Sequence, residues 1–176
     1  MNDIKKQLSH LRLNAIIKTV DIRSEQALTT QMTYAEYLST LLDDELSALD
    51  TKRYEKRLKT ANLKGDKTLS NFDFSFNKNI DKKLIYDLST CSFIIKKQPI
   101  IIVGACGTGK THLAQALGFA AIQKEFDVLM HKQNEISAIL NEARATGTYL
   151  KKINKLADAA LLIIDDFALK PFTGLL

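Results

Sequence analysis

Three glycines, a lysine and a threonine fall within eight residues of the stretch GACGTGKTHLA: Gly104, Gly107, Gly109, Lys110 and Thr111. Those types at that spacing suit an anion with many oxygens. Backbone N–H groups converge on such an anion only where no side chain intrudes, and glycine permits both the close approach and the unusual dihedrals. A helix starting at the lysine would aim its positive end at the same point. Lys110 would supply a cation and the Thr111 hydroxyl an oxygen for Mg2+. The order G-x-x-x-x-G-K-T is the phosphate-loop pattern. It predicts ATP or GTP binding across the whole span of Gly104, Ala105, Cys106, Gly107, Thr108, Gly109, Lys110, Thr111 and His112.

A second acidic motif follows at LLIIDD. An apolar run ending in Asp sets a carboxylate at the carboxyl edge of a strand, where ligands of parallel sheets sit. Asp165 is expected to hold Mg2+, and Asp166 to polarise an attacking water beside Lys110. Cys106 puts a thiol inside the loop, so its alkylation is expected to block nucleotide binding. Cys91 and Cys106 lack metal-ligand spacing and are too few for a disulfide framework, so both read as free thiols.

Elements of two kinds must carry these residues. Ile100–Val103 (IIIV) is a continuous β-branched run, the pattern of a strand covered on both faces. THLAQALGFAAIQK reads as a helix, DVLMH as a strand and QNEISAILNEARAT as a helix. After Gly147 comes a short helical piece to Leu156, then ALLIIDD as a third strand. Strand and helix alternating in this way predict a parallel sheet.

Residues 1–65 read as helical, with Ile4, Leu8, Leu11 and Ala15 at three- and four-residue spacing. Thr33 and Glu36 form a capping-box pattern, after which Tyr34, Leu38, Leu41, Leu42, Leu46 and Leu49 continue an apolar stripe. No proline precedes Pro99, so nothing is expected to break these helices. Ala61–Asn79 reads as a connector whose Phe72, Phe74 and Phe76 anchor it to a core, with a short helix in IDKKLIYDLS after it.

Hydrophobic content of 45% with 26% charged residues is that of a globular chain rather than a disordered one. No apolar run reaches membrane-spanning length, and no signal-peptide core opens the chain, which predicts a cytoplasmic protein without membrane partners. The net charge of +5 is densest in KRYEKRLK. Lys52, Arg53, Lys56, Arg57 and Lys59 there are candidates for phosphate contacts with DNA, or else the solvated face of a helix.

FDFSFNKNIDKKLIYDLSTCSFIIKKQPIIIVGACGTGKTHLAQALGFAAI together with LLIIDDFALKPF resembles the IstB-like helper ATPases of bacterial transposons, relatives of DnaC-type helicase loaders in the AAA+ class. The resemblance implies an α/β protein with a helical N-terminal domain over 1–65, a connector and short helix over 66–98, and a partial P-loop AAA+ core over 99–176. It implies ATP and Mg2+ as ligands, DNA and a transposase as partners, and a possible homo-oligomer. Two positions depart from the family pattern. Ala105-Cys106 stands where a proline is frequent, and Ala168 where a glycine usually follows the acidic pair.

Proteins of that family continue past FALKPFTGLL with two more strands, a polar sensor residue, an arginine given to a neighbouring subunit and a helical lid. The resemblance therefore implies a core incomplete at its C-terminus, with the strand between the first and third missing and the inner edges of IIIV and LLIIDD unpaired. An arginine finger is worth about 10³–10⁵ in rate, so ATP turnover by this chain is expected to be very slow. A helicase loader, a small-molecule phosphotransferase and an inactive fragment are the competing readings. Arg144 is the only arginine after the loop, which disfavours the phosphotransferase.

Overall fold

The computed structural model of the chain describes residues 2–77 and 79–167. They fall into two compact units, one ending at Glu55 and the other beginning at Lys56.

The first unit holds α1 (Asn2–His10), α2 (Asn14–Thr30) and most of α3 (Tyr34–Ala61). Ile16, Val20 and Leu41 are its buried core, with Leu8, Leu13 and Tyr37 packed against them. Absence of proline does not keep this region continuous. Arg12 and Gln31 both adopt left-handed backbone, at φ 61° and 52°, and α2 ends as the Gln31 N–H turns back to Ala27 O. The expected capping box forms at the start of α3: Thr33 N donates to Glu36 Oε2 at 2.8 Å and Glu36 N donates to Thr33 Oγ1 at 3.3 Å. The apolar stripe of α3 does not pack as its spacing suggested. Only Leu41 is buried; Leu38, Leu42, Leu46 and Leu49 are exposed, and Tyr34 is 95% exposed. The face turned to α2 is instead that of Tyr37, Leu41 and Glu45.

Glu45 explains why. Its carboxylate is buried and accepts from Ala15 N at 2.7 Å and Ile16 N at 3.2 Å. These are free first-turn N–H groups of α2, which Leu13 at the N-cap cannot satisfy. Arg23 grips Asp44 through two donors, Nε at 2.9 Å and a terminal nitrogen at 2.7 Å. The guanidinium, with Thr19 second, holds the Asp44 carboxyl at about 2, below its ordinary 3.8.

The second unit is a small α/β core. α4 (Lys82–Ser89) and α5 (Ser92–Ile95) precede α6 (Lys110–Gln123), then come β1 (Val128–Lys132), α7 (Gln133–Ala145), α8 (Tyr149–Ala157) and β2 (Leu161–Asp165). β1 and β2 pair in parallel, Val128 opposite Leu161 through Lys132 opposite Asp165. α6 is buried around most of its girth, at Leu113, Gln115, Ala116, Leu117, Gly118, Ala121 and Ile122. Val128, Leu129 and Met130 are buried in succession, as a strand covered on both faces requires, whereas β2 buries only Ile163. Cys91 is fully buried, and that burial raises its thiol pKa; Cys106 is exposed, and both are free.

The expected first strand is a correction. Ile100–Val103 is in no strand, and Ile101 and Val103 are 82% and 86% exposed. A strand needs a ladder for its N–H and C=O groups. The sheet among the described residues is β1–β2 alone, so nothing there pairs this run.

Candidate nucleotide-binding site

The loop between the IIIV segment and α6 is shaped by its own carbonyl at Ala105. Thr108 Oγ1 donates to that oxygen at 2.9 Å and Lys110 Nζ donates to it at 2.6 Å, so the ammonium lies across the loop that precedes it. Gly107 and Gly109 have φ of 79° and 87°, backbone that side-chain-bearing residues rarely adopt. A Cβ on Gly104 would stand 3.2 Å from Thr108 Oγ1, and one on Gly109 only 2.8 Å from the Phe72 ring. Among the described residues, no backbone N–H from Gly104 to Gly109 donates to another group of the chain. A row of amides without internal partners, leading into a 14-residue helix, is what an anion needs.

Thr111 Oγ1 donates to Asp165 Oδ1 at 3.0 Å. Fifty-four positions separate the two residues, and the meeting is a product of packing: α6 lies on β2, whose last residue is Asp165. Two hard oxygens in contact beside a phosphate loop suit Mg2+, an ion usually held by one or two protein oxygens with the rest from phosphates and water. Asp166 lies one residue beyond, with φ of 55°, a left-handed backbone that Asp tolerates better than most residues. Its Oδ2 accepts from Lys132 Nζ at 2.7 Å, across the carboxyl ends of β1 and β2. The hydrogen bond to Asp166 raises the Lys132 ammonium pKa, with smaller help from Asp165 and Glu135.

His112 offers the loop only its first-turn backbone N–H. Its imidazole Nε2 sits 3.0 Å from Thr68 O, and its ring meets Phe72 edge-on at 5.1 Å. Phe72 and Phe74 anchor the connector as expected. They touch at 4.9 Å, and Phe74 stacks on Tyr86 at 6.0 Å, while Phe76 stays exposed. Cys106 is exposed in the loop. Ala168, the position without the usual glycine, lies outside the described residues.

The basic candidates separate. Lys52, Arg53, Lys56 and Lys59 are exposed on α3, Arg53 with an ion pair to Asp50 at 3.2 Å. Arg57 is half-buried and donates from Nε to Asp127 Oδ1 at 3.3 Å, tying the end of α3 to the approach of β1. Arg144 packs over the Tyr149 ring at 5.1 Å. Sequence reasoning missed Lys132 and the Phe72–Gly109 contact. Lys132 had a signal, since two parallel strands ending together set the last residue of one beside the last of the other. Phe72 had none beyond its aromatic type.

An exposed loop with free amides, a helix rising from it and an acidic strand end beside it define an α/β protein of the phosphate-loop class. The chain belongs to the family of IstB-like ATP-binding proteins, whose model matches residues 6–174. It is 32% identical over 171 residues to a protein of insertion sequence IS21 from Pseudomonas aeruginosa, described as ATP-binding; the match covers 97% of this chain and 64% of that one. It is 30% identical over 174 residues to an IS21-like counterpart from Bacteroides fragilis strain YCH46, covering 97% and 87%. An insertion-sequence ATP-binding protein of Mycobacterium tuberculosis matches at 27% over 172 residues, covering 98% and 68%. The chain thus spans about two thirds of the length of two of these relatives. No described helix is long and apolar enough to cross a membrane.

Proposed function

We propose that this chain binds Mg-ATP at Gly104–His112 and acts as a nucleotide-dependent helper in the transposition of an insertion sequence. The observation that carries the nucleotide part is the Thr111–Asp165 contact at the mouth of a loop with free amides. In this reading the amides of Gly104–Gly109 receive the phosphate oxygens, and Lys110 exchanges the Ala105 carbonyl for a phosphate. Thr111 and Asp165 are the protein oxygens for Mg2+, which supplies charge neutralisation on the phosphates. Asp166 is the base-side carboxylate, its direction set by Lys132. The transposition part rests on the insertion-sequence relatives. DNA, met through the exposed lysines of α3, and a transposase are the partners that reading implies. Assembly into a homo-oligomer belongs to the same reading.

Calorimetric titration with Mg-ATP and Mg-ADP tests the first part. Lys110→Ala is expected to weaken binding about 10- to 100-fold, the usual scale for losing a charged hydrogen bond. No heat with the parent chain would defeat the proposal. Pull-down against an insertion-sequence transposase, with a replicative helicase as the rival bait, tests the second. Retention of the helicase alone would replace transposition by helicase loading.

A further inference from the structure

Four contacts between the connector and α6 form a progression. A Cβ on Gly118 would meet Leu63 Cδ2 at 3.2 Å. Lys64 N donates to the buried Gln115 Oε1 at 2.8 Å. Thr68 O sits 3.0 Å from His112 Nε2. The Phe72 ring lies 2.8 Å from where a Cβ on Gly109 would be. As the connector advances from 63 to 72, its partners step back along the helix through 118, 115, 112 and 109. Those positions are three apart, so each lies beside the next on the helix surface while the line of contact winds about half a turn around α6 and ends at its N-cap, Gly109. The connector therefore runs antiparallel along α6 and ends on the last glycine of the phosphate loop.

Both ends of this run are tied down. Just before it, Asn62 Nδ2 donates to Met130 O at 3.0 Å, which holds its start to β1. At the far end Phe72 leans on Phe74, which stacks on Tyr86 of α4. Between them the run holds its own shape, with Asn71 Nδ2 donating to Asp66 O at 2.8 Å and Phe72 N to Leu69 O at 3.3 Å. Gly109 is where shape matters most. Its φ of 87° must be kept for the next two residues, Lys110 and Thr111, to start the helix and face the loop. The Phe72 ring fills the space beside that glycine.

We propose that residues 62–74 form a strap that positions the phosphate loop from outside, with Phe72 as the positioning residue that holds Gly109 and so Lys110 and Thr111. Phe72 acts on the amide row through its last member, Gly109, and through His112 at the start of α6. Its effect on nucleotide affinity rests on the reading of the loop given above, whereas its effect on the loop itself does not.

Hydrogen exchange of the full chain without nucleotide separates the two. Phe72→Ala is expected to speed exchange of the first hydrogen-bonded amides of α6, Leu113 to Ala116, about tenfold or more, since Leu113 N bonds to Gly109 O and local opening follows the loss of packing contacts. Phe72→Leu, which keeps an apolar filler, should restore most of the protection. Ile136→Ala, a cavity at a buried position of α7, serves as the control. It should lower the melting temperature and leave 113–116 no more labile than the rest of the core. Unchanged exchange at 113–116 in Phe72→Ala would overturn the strap, as would equal loosening there in Ile136→Ala. Where the parent binds Mg-ADP, Phe72→Ala should also raise its Kd about tenfold, and an unchanged Kd would overturn the positioning role. A parent that binds no nucleotide defeats the nucleotide reading alone, because the exchange result still decides the strap.

Discussion

Ala105 contributes a carbonyl that accepts from Thr108 and Lys110 together, and this double acceptance folds the loop into a closed curve. Neither donor was chosen by strand or helix propensity; both are short-range consequences of three glycines that let the chain double back. Lys132 acts at the same scale. Its pair with Asp166 joins two half-exposed side chains, and such pairs contribute little to stability. Lys132→Ala is therefore expected to leave the melting temperature nearly unchanged. It should also leave the Kd for Mg-ATP within about twofold of the parent, because the amides, Lys110 and Thr111 are untouched. Under the proposed role of Asp166, what should fall is the slow phosphate release at saturating Mg-ATP, since Asp166 loses the partner that sets its direction. Recovery in Lys132→Arg, which keeps a donor on a long stem, is expected. A large fall in nucleotide affinity would show that Lys132 serves binding and not orientation.

Elements owe their stability here to groups outside themselves. α2 starts at a leucine that cannot cap, and a carboxylate from α3 does the work. Removing it leaves two N–H groups without a partner, and burying an unsatisfied group costs about 1–3 kcal/mol. Glu45→Ala should accordingly destabilise the chain by about that amount in denaturant titration followed by helical circular dichroism, with Glu45→Gln milder. A loss within error would mean that water replaces the cap. Acid acts on the same helices through Asp44. Its folded value of about 2 lies below the ordinary 3.8, so ionised Asp44 favours the folded state. That contribution is complete above about pH 4 and is lost as pH falls from there towards 2. Glu36, lowered by its hydrogen bonds to Thr33, adds in the same direction. Thermal melts from pH 5 to 2 should show the decline, and Asp44→Asn should flatten it. A decline equally steep in that variant would assign it to other carboxylates.

Charge is shared unevenly over the whole molecule. Residues 1–55 carry 7 Lys and Arg against 9 acids, whereas residues 56–176 carry 18 against 11. The excess that suggested an anionic partner therefore belongs to the second unit, and the helix that joins the counts, α3, turns basic only near its end. Lys52, Lys56 and Lys59 recur at four- and three-residue spacing, which sets them on one stripe of that helix. If each meets a duplex phosphate, replacing all three by alanine should reduce the slope of log K against log salt by about 2.7. Fluorescence anisotropy of a labelled duplex between low and moderate salt measures it, and an unchanged slope would return the stripe to a solvated helix face. Arg57 is left out of that variant because its partner is Asp127.

What could be known before folding was whatever depends on neighbours along the chain. The capping box at Thr33, the helix after Lys110 and the strands within DVLMH and ALLIIDD all rest on spacings of a few residues, and they stand as expected. The tertiary structure decided which faces meet. Periodicity marks an apolar stripe without naming its cover, so Leu38, Leu42, Leu46 and Leu49 lie outward while Glu45 goes in. A β-branched run suits a strand but does not name its partner, so IIIV lies in no strand among the described residues. Thr111 with Asp165, Lys132 with Asp166 and Phe72 with Gly109 are separated by tens of residues, and only the closing of α6 onto β2, the pairing of β1 with β2 and the laying of the connector along α6 bring them within reach.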